Sequence, residues 1–285
     1  MEPRISAVIN TFNEEKNLPY ALRSVQTWVD EIIVIDMHST DRTVEIAREF
    51  GAKVYFHEPT GFVEPARNFA ISKSSGDWIM VLDADEIIPE PLSRKLKEVA
   101  QDKEGVDAVR LARLNYLFGS PMGYTGWGPC QDNKNLRFFK RGRVNANATI
   151  HDLLKPAPGA HIIEIPYQDG CAIIHFNHVD ISQFIEKLNR YTTIEAQQAM
   201  KRGEKSNSFR ALCRAAVAFW IRYIGWQGFR EGWRGFYLCM FMAFYRLVTT
   251  AKLTELRTIG ARADVEKIYC READRILADY TTQSE

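Results

Sequence analysis

At 285 residues, with 46% hydrophobic and 26% charged side chains, the chain has the length and composition of a folded protein, either one large domain or one domain with an appendage. A net charge of +1 conceals a polarity: residues 1–100 hold 11 Lys and Arg against 17 Asp and Glu, while residues 201–234 hold 8 against 2. Five scattered cysteines, odd in number and without a CxxC pair, exclude a disulfide framework or a zinc site and suit a reducing compartment.

In chain order, Ile5–Ile9 reads as a strand ending at Asn10-Thr-Phe-Asn-Glu-Glu15, with Asn13 placed to cap a helix carrying Leu18, Ala21, Leu22 and Val25. Glu31–Ile35 is a second strand stopping at Asp36, followed by a helix closed by Gly51. Ala52–Phe56 is a third strand, and a helix runs through Ala66–Ile71 towards Gly76. The apolar run Trp78–Leu82 then stops at Asp83-Ala84-Asp85-Glu86, which reads as a strand buried on both faces with acids at its tip. Strand and helix alternating over short connections predict an α/β fold with a mainly parallel sheet. No GxGxxG follows the first strand, which argues against a dinucleotide-binding domain.

Parallel strands would gather Asn10, Asp36 and Asp83 at one sheet edge, where open α/β sheets bind ligands. Asp36 suits a base N–H or a ribose hydroxyl, and Arg67 a base or phosphate; alone, each reads equally as a turn aspartate and a solvated arginine. Asp83 and Asp85, two residues apart, can turn towards one point and offer hard oxygens to Mg²⁺ or Mn²⁺.

Together, Thr11-Phe-Asn-Glu-Glu15, Ile33-Val-Ile-Asp36-Met-His-Ser-Thr-Asp41-Arg-Thr43, Ala66-Arg-Asn-Phe-Ala70 and Gly76–Glu86 resemble the inverting glycosyltransferases of family 2, which have the GT-A fold. Residues 110–256 are more loosely similar to the lipopolysaccharide core glucosyltransferase-like branch, through Gly126-Trp-Gly-Pro129, Leu136–Arg141, Ile150-His-Asp152, Ile174-His-Phe176 and Lys187–Thr192. The resemblance implies that Asp36 holds the uracil or ribose of a nucleotide sugar, with Thr11, Asn13 and Glu14 nearby. It implies that Arg67 contacts base or diphosphate, and that Asp83 and Ala84 approach the ribose. Asp85 would be the principal ligand of a divalent cation, with Asp83 beside it.

An inverting transfer also needs a carboxylate beside the acceptor hydroxyl, away from the leaving diphosphate. Asp152 is the expected base, one methylene shorter than the Glu more usual in the branch; Asp132 and Asp180 are alternatives. His175, closing the apolar strand Cys171–Ile174, is a candidate third metal ligand, and His178 either shares that role or caps a turn. Alternation places Arg137 opposite Leu136 and Phe138, where it serves the diphosphate or anchors a loop. The Gly- and Pro-rich segment Phe118–Asn133 reads as a flap without regular structure, with Trp127 stacking on a sugar.

From Ile181 the pattern turns helical, with Phe184, Ile185, Leu188, Tyr191 and Ile194 on one face. Phe209–Tyr245 interleaves aromatics with arginines and carries no nucleic-acid motif, so no nucleic-acid partner is expected. These residues either dock on an anionic membrane surface or pack on the core. The expected division is a GT-A catalytic domain over 1–180 and a helical extension over 181–285. No signal peptide is expected, and no stretch reaches the roughly 18 uncharged apolar residues of a membrane span, giving a cytoplasmic protein peripheral to the inner membrane. The expected activity is hexosyl transfer from a UDP-hexose, glucose in first place, to a membrane-associated glycan or lipid-linked acceptor. The rival readings are a sugar nucleotidyltransferase, which would want a Gly-rich phosphate loop after the first strand, and a catalytically silent nucleotide-sugar-binding scaffold.

Overall fold

The structure is a computed structural model that describes residues 2–58, 64–101, 105–125, 128–145, 154–168 and 170–281. Trp127, His151 and Asp152, singled out above, lie outside the described residues. Two compact units divide the chain, residues 1–179 and 180–285.

The first unit runs β1 (Ile5–Thr11), α1 (Leu18–Val25), β2 (Glu31–Asp36), α2 (Thr43–Glu49), β3 (Lys53–Phe56), α3 (Glu64–Lys73) and β4 (Trp78–Asp83). It continues with β5 (Glu86–Ile87), α4 (Glu90–Gln101), β6 (Ala108–Leu117), β7 (Ser120–Met122), β8 (Tyr124–Thr125) and β9 (Gly128–Pro129). β10 (Lys134–Lys140), β11 (Val144–Asn145), β12 (Lys155–Pro156), β13 (Ile162–Glu164) and β14 (Ile173–His178) complete it. Among the described residues the main sheet is ordered β3-β2-β1-β4-β10-β6-β14-β5, with β7 and β13 also on β6. The four strands β3, β2, β1 and β4 are parallel; β10 lies antiparallel between β4 and β6, and β14 is parallel to β6. This is the mixed, mainly parallel sheet of a GT-A fold.

Burial on both faces explains the uninterrupted apolar runs of β1 and β4. Ile5, Ala7 and Ile9 of β1, with Met80 and Leu82 of β4, join Leu18 and Leu22 of α1, Ala47 of α2 and Leu92 and Leu96 of α4. On the other face Val8, Ile33, Ile35, Ile79 and Val81 pack with Ala66 and Ala70 of α3. Trp78 stacks on Phe138 at 4.6 Å between ring centroids, and burial of two such rings contributes roughly 2–3 kcal/mol each. Glu31 ties β2 to its neighbours, accepting from Ser6 Oγ of β1, Lys53 Nζ of β3 and the Ser75 N–H. Burial opposes its ionisation, but Lys53, Ser6 and Ser75 outweigh that and bring its pKa down to about 2.

Several local expectations differ from the structure. Asn13 does not cap α1, which is preceded by Asn17 without a side-chain cap; Asn13 has φ 54° and accepts from the Thr40 N–H instead. The Gly- and Pro-rich segment is not free of regular structure. Phe118 and Gly119, both at positive φ, form a two-residue turn of the kind that matches strand twist, returning β7 antiparallel onto β6. β8 and β9 then form a second short pair. Simple alternation fails in β10: Leu136 pairs with Arg110 and Phe138 with Val109, leaving Arg137 as the extra residue of a bulge. Leu136 and Phe138 consequently pack on opposite faces. His175 lies inside β14 and does not close the strand.

The second unit holds α5 (Ile181–Lys201), α6 (Ser208–Trp220), α7 (Gly232–Thr258) and α8 (Arg262–Thr281), with a π turn over Ile221–Gly225 and a 3₁₀ turn over Gly228–Glu231. Asp180, an alternative base above, instead caps α5 by accepting the Gln183 N–H. The buried stripe of α5 is Phe184, Leu188, Thr192, Ala196 and Ala199, and Ile185 is exposed. Small residues own this face because α5 packs closely on α7, where Phe184 meets Phe241 and Tyr245 Oη donates to Glu195.

Candidate active site

The strand order reverses between β1 and β4, since β2 and β3 extend from one side of β1 and the later strands from the other. The carboxyl ends beside such a switch point form the crevice in which open α/β sheets hold ligands. Asn10 of β1 stands in register with Asp83 of β4, and Thr11 with Asp36 of β2. The amide oxygen and nitrogen of Asn10 and the Thr11 hydroxyl are buried without a hydrogen-bond partner among the described residues. Buried polar groups left open at a strand edge suit a polar ligand.

The loops after β1 and β2 are bound to each other. The Asn13 N–H donates to Ser39 Oγ, the Glu14 N–H to Thr43 Oγ1, and the Glu15 N–H to Asp41. Burial raises the Asp41 pKa, but hydrogen bonds from Thr43 and the Glu15 N–H bring it below its ordinary value. Asp36 is fully buried and accepts both the N–H and the hydroxyl of Ser39. Its carboxylate therefore shapes this double loop, and Glu14 accepts from Asn17 Nδ2 in the same assembly.

Beyond β4 the acids meet cations from three elements. Asp83 accepts from Arg67 Nη2 of α3 at 2.9 Å and from Arg137 Nη2 of β10 at 2.8 Å. Arg137 Nη2 also donates to Glu86 at 3.2 Å, and Arg113 Nη1 of β6 reaches the same Glu86 oxygen at 3.3 Å. Burial would raise the Asp83 pKa, yet Arg137 and Arg67 hold it well below the usual carboxylate range. Burial alone would lower the Arg137 pKa, but Asp83 and Glu86 raise it, so the guanidinium is permanently charged. Its Nη1, like Arg67 Nε and Arg113 Nε, is buried without a partner among the described residues.

Asp85 stands apart from this cluster. Its Oδ2 lies 3.4 Å from Nε2 of His175, whose Nδ1 is 2.7 Å from Asn115 Oδ1. Register explains the row, because Glu86, His175 and Asn115 are partners across β5, β14 and β6. In the tautomer that donates Nδ1–H to Asn115, Nε2 would turn a lone pair towards Asp85, the arrangement that orients a ligating histidine. Two donors about 2.1 Å from one ion at right angles stand about 3 Å apart, so Asp85 and His175 fit a shared divalent cation. The Asp83 oxygens are on Arg67 and Arg137, and no group of three His, Cys, Asp or Glu has metal-binding geometry among the described residues. Ala84 is buried in the core.

The site thus brings together Asp83, Asp85, Arg67, Arg137 and His175, while Asn13, Glu14 and Asp36 serve the loop scaffold. Glu86 and Arg113 were missed by sequence reasoning. The run of three acids in Asp83–Glu86 was a usable signal for Glu86, whereas nothing in β6 distinguishes Arg113 from the neighbouring Arg110.

Comparison with known proteins gives the family. Glycosyl transferase family 2 matches residues 6–152. The chain belongs to that family, and it is a glycosyltransferase. An uncharacterized glycosyltransferase of Rickettsia felis is 30% identical over 256 residues, covering 88% of this chain and 90% of that relative. The lipopolysaccharide core biosynthesis glycosyltransferase LpsC of Rhizobium meliloti is 27% identical over 268 residues, covering 92% of this chain and 96% of LpsC. Among solved structures, glucosyl-3-phosphoglycerate synthase from Mycobacterium tuberculosis, in complex with Mn²⁺, UDP and phosphoglyceric acid, is 19% identical. It covers 72% of this chain and 81% of that one at a TM-score of 0.44, a likeness too distant to speak of this chain's ligands.

Proposed function

We propose that this family 2 transferase moves a hexose, glucose in first place, from a UDP-hexose onto a membrane-associated glycan or lipid-linked acceptor with inversion. A lipopolysaccharide core is the favoured acceptor, a choice supported by the likeness to LpsC along nearly its whole length. The observation that carries the donor reading is the charge cluster at the sheet's switch point. Asp83 and Glu86 pair with Arg67, Arg113 and Arg137, and Asp85 stands beside them on His175, so the site counts three carboxylates against three guanidiniums. A diphosphate entering this neutral cluster needs compensation, and a divalent cation held by Asp85 and His175 would supply it by stabilising charge on the leaving group.

The chain's own residues do the remaining work. Arg137 Nη1 and Arg67 Nε, buried without a partner among the described residues, would donate to the diphosphate. Asn10 and Thr11 offer unpartnered polar atoms to the nucleoside at the end of β1. Asp152, outside the described residues, is the proposed base that takes the acceptor's proton as its oxygen attacks the anomeric carbon.

The test is a thermal-shift and turnover panel of UDP- and GDP-sugars with and without Mn²⁺. UDP-glucose should raise the melting temperature only with metal present, and Asp85→Asn should abolish that shift. Asp152→Asn should keep the shift while losing about 10²–10⁴-fold in transfer. Silence towards every nucleotide sugar in the presence of metal would overturn the donor assignment.

A further inference from the structure

The second unit contains a helix turned inside out. In α6 the residues that face inward are small, Ala211 and Ala215, while Phe209, Leu212, Val217 and Trp220 are exposed at 76%, 57%, 57% and 59%. Their spacing continues through exposed Ile221 and Ile224 of the π turn. A soluble helix normally shows the reverse, its apolar stripe turned to the core. α7 repeats the pattern: Gly235, Leu238, Cys239 and Ala243 face inward, and Trp233, Phe236, Tyr237, Met240 and Phe244 are exposed.

The two stripes belong to one surface. α6 and α7 pack against each other, and Phe219 meets Phe236 edge-on at 5.9 Å and stacks on Tyr223 at 5.3 Å. The turns between the helices are pulled in by glycines. A Cβ on Gly235 would lie 1.9 Å from the Gly228 oxygen, and one on Gly228 would lie 2.8 Å from Cys239 Sγ. So many large apolar residues on adjoining faces exceed the scattered exposure of an ordinary surface and mark a site of contact.

Charge selects the occupant. Residues 205–230 contain Lys205, Arg210, Arg214, Arg222 and Arg230 and no acidic residue. Arg222 lies over the Trp226 ring at 5.1 Å and Arg234 over Trp233 at 4.8 Å, so cations and aromatics share the surface. With Glu231 the lone acid of the joining turns, a second copy of the chain would set this net basic surface against its own image. An anionic lipid surface takes both parts: the apolar stripes reach the acyl boundary and the arginines meet phosphates. No helix among the described residues is long and apolar enough to cross a membrane, so the contact lies in the interface plane.

We propose that the outward faces of α6 and α7, with the turns joining them, form a docking surface for an anionic bilayer. The full chain is mixed with phosphatidylcholine vesicles with or without phosphatidylglycerol and separated by flotation, with no sugar nucleotide present, so the outcome is independent of the donor reading. Binding is expected to the anionic vesicles only, to weaken with salt, and to bring tryptophan quenching by brominated lipid. Arg210→Gln with Arg214→Gln should weaken binding by more than about tenfold, near fivefold for each arginine. Trp220→Gln with Phe209→Gln should weaken it comparably, with unchanged circular dichroism. Absence of wild-type binding, equal binding to uncharged vesicles, or a stable dimer in light scattering that shields tryptophan from aqueous quencher would each overturn the proposal.

Discussion

Replacing Arg137 by glutamine should cost the first unit about 3 kcal/mol. The guanidinium is buried and bonds Asp83 at 2.8 Å and Glu86 at 3.2 Å. Removing one partner of a buried ion pair ordinarily costs roughly 3–5 kcal/mol, because the remaining charge is left uncompensated. Here the lower end applies, since Asp83 keeps Arg67 at 2.9 Å and Glu86 keeps Arg113 at 3.3 Å. At roughly 2–4 °C per kcal/mol for a unit of this size, the melting temperature should fall by about 6–12 °C at neutral pH. Arg137→Lys, which keeps charge but loses the fork, should recover part of the loss. The pH dependence has a definite sign. Asp83 is held below its ordinary pKa by Arg137 and Arg67 against the effect of burial, so its contribution is present above about pH 4 and is lost as pH falls through the folded value. The stability gap between wild type and Arg137→Gln should therefore narrow in acid. A scanning calorimeter reads both effects. A variant within about 1 °C of wild type at neutral pH would refute the view that this arginine neutralises the acid cluster.

Two further outcomes test the scaffold beneath the site. Burial opposes ionisation of Glu31, but Lys53, Ser6 and Ser75 lower its pKa from 4.5 to about 2, so its stabilisation is complete above pH 4.5 and fades as pH falls towards 2. Glu31→Gln should cost about 2 kcal/mol at neutral pH, a figure reduced for the 61% exposure of Lys53, and should flatten the acid limb of a urea-midpoint profile. Gly76→Ala should cost roughly 1–3 kcal/mol in urea unfolding, because the new Cβ would lie 2.7 Å from Ser6 N and 2.8 Å from Arg4 O, backbone atoms that cannot turn aside.

The parallel half of the fold was readable because its signals are local. Apolar runs such as Trp78–Leu82, the helical spacing of Leu18, Ala21, Leu22 and Val25, and Gly51 just after α2 at φ 73° each report through a few neighbouring residues. The antiparallel additions were not, since the turn at Phe118–Gly119 rests on positive φ at a phenylalanine, which sequence disfavours. The acids and arginines of the site could be picked out one by one, but not their partners. Arg67, Arg113 and Arg137 come from three separate elements, and only the sheet order brings them to Asp83 and Glu86. In α5, apolarity pointed to Ile185 and Tyr191, whereas close packing on α7 favours Thr192, Ala196 and Ala199.

The bulge at Arg137 has a consequence for how this enzyme can change. A side chain in a regular ladder is bound to its strand's alternation, so moving it displaces every neighbour to the other face. Arg137 is supernumerary to the pairing of β10 with β6, and Leu136 and Phe138 keep their partners around it. Position 137 is thus insulated from the sheet: substitution there alters the charge offered to Asp83 and Glu86 while the aromatic stack of Phe138 on Trp78 stays in place. Deleting the residue would leave Leu136 and Phe138 as consecutive ladder residues on the opposite faces they already occupy, removing the bulge and its guanidinium together. The fold has set the electrostatics of this site on a position where mutation, at a cost in stability, leaves the strand register unchanged.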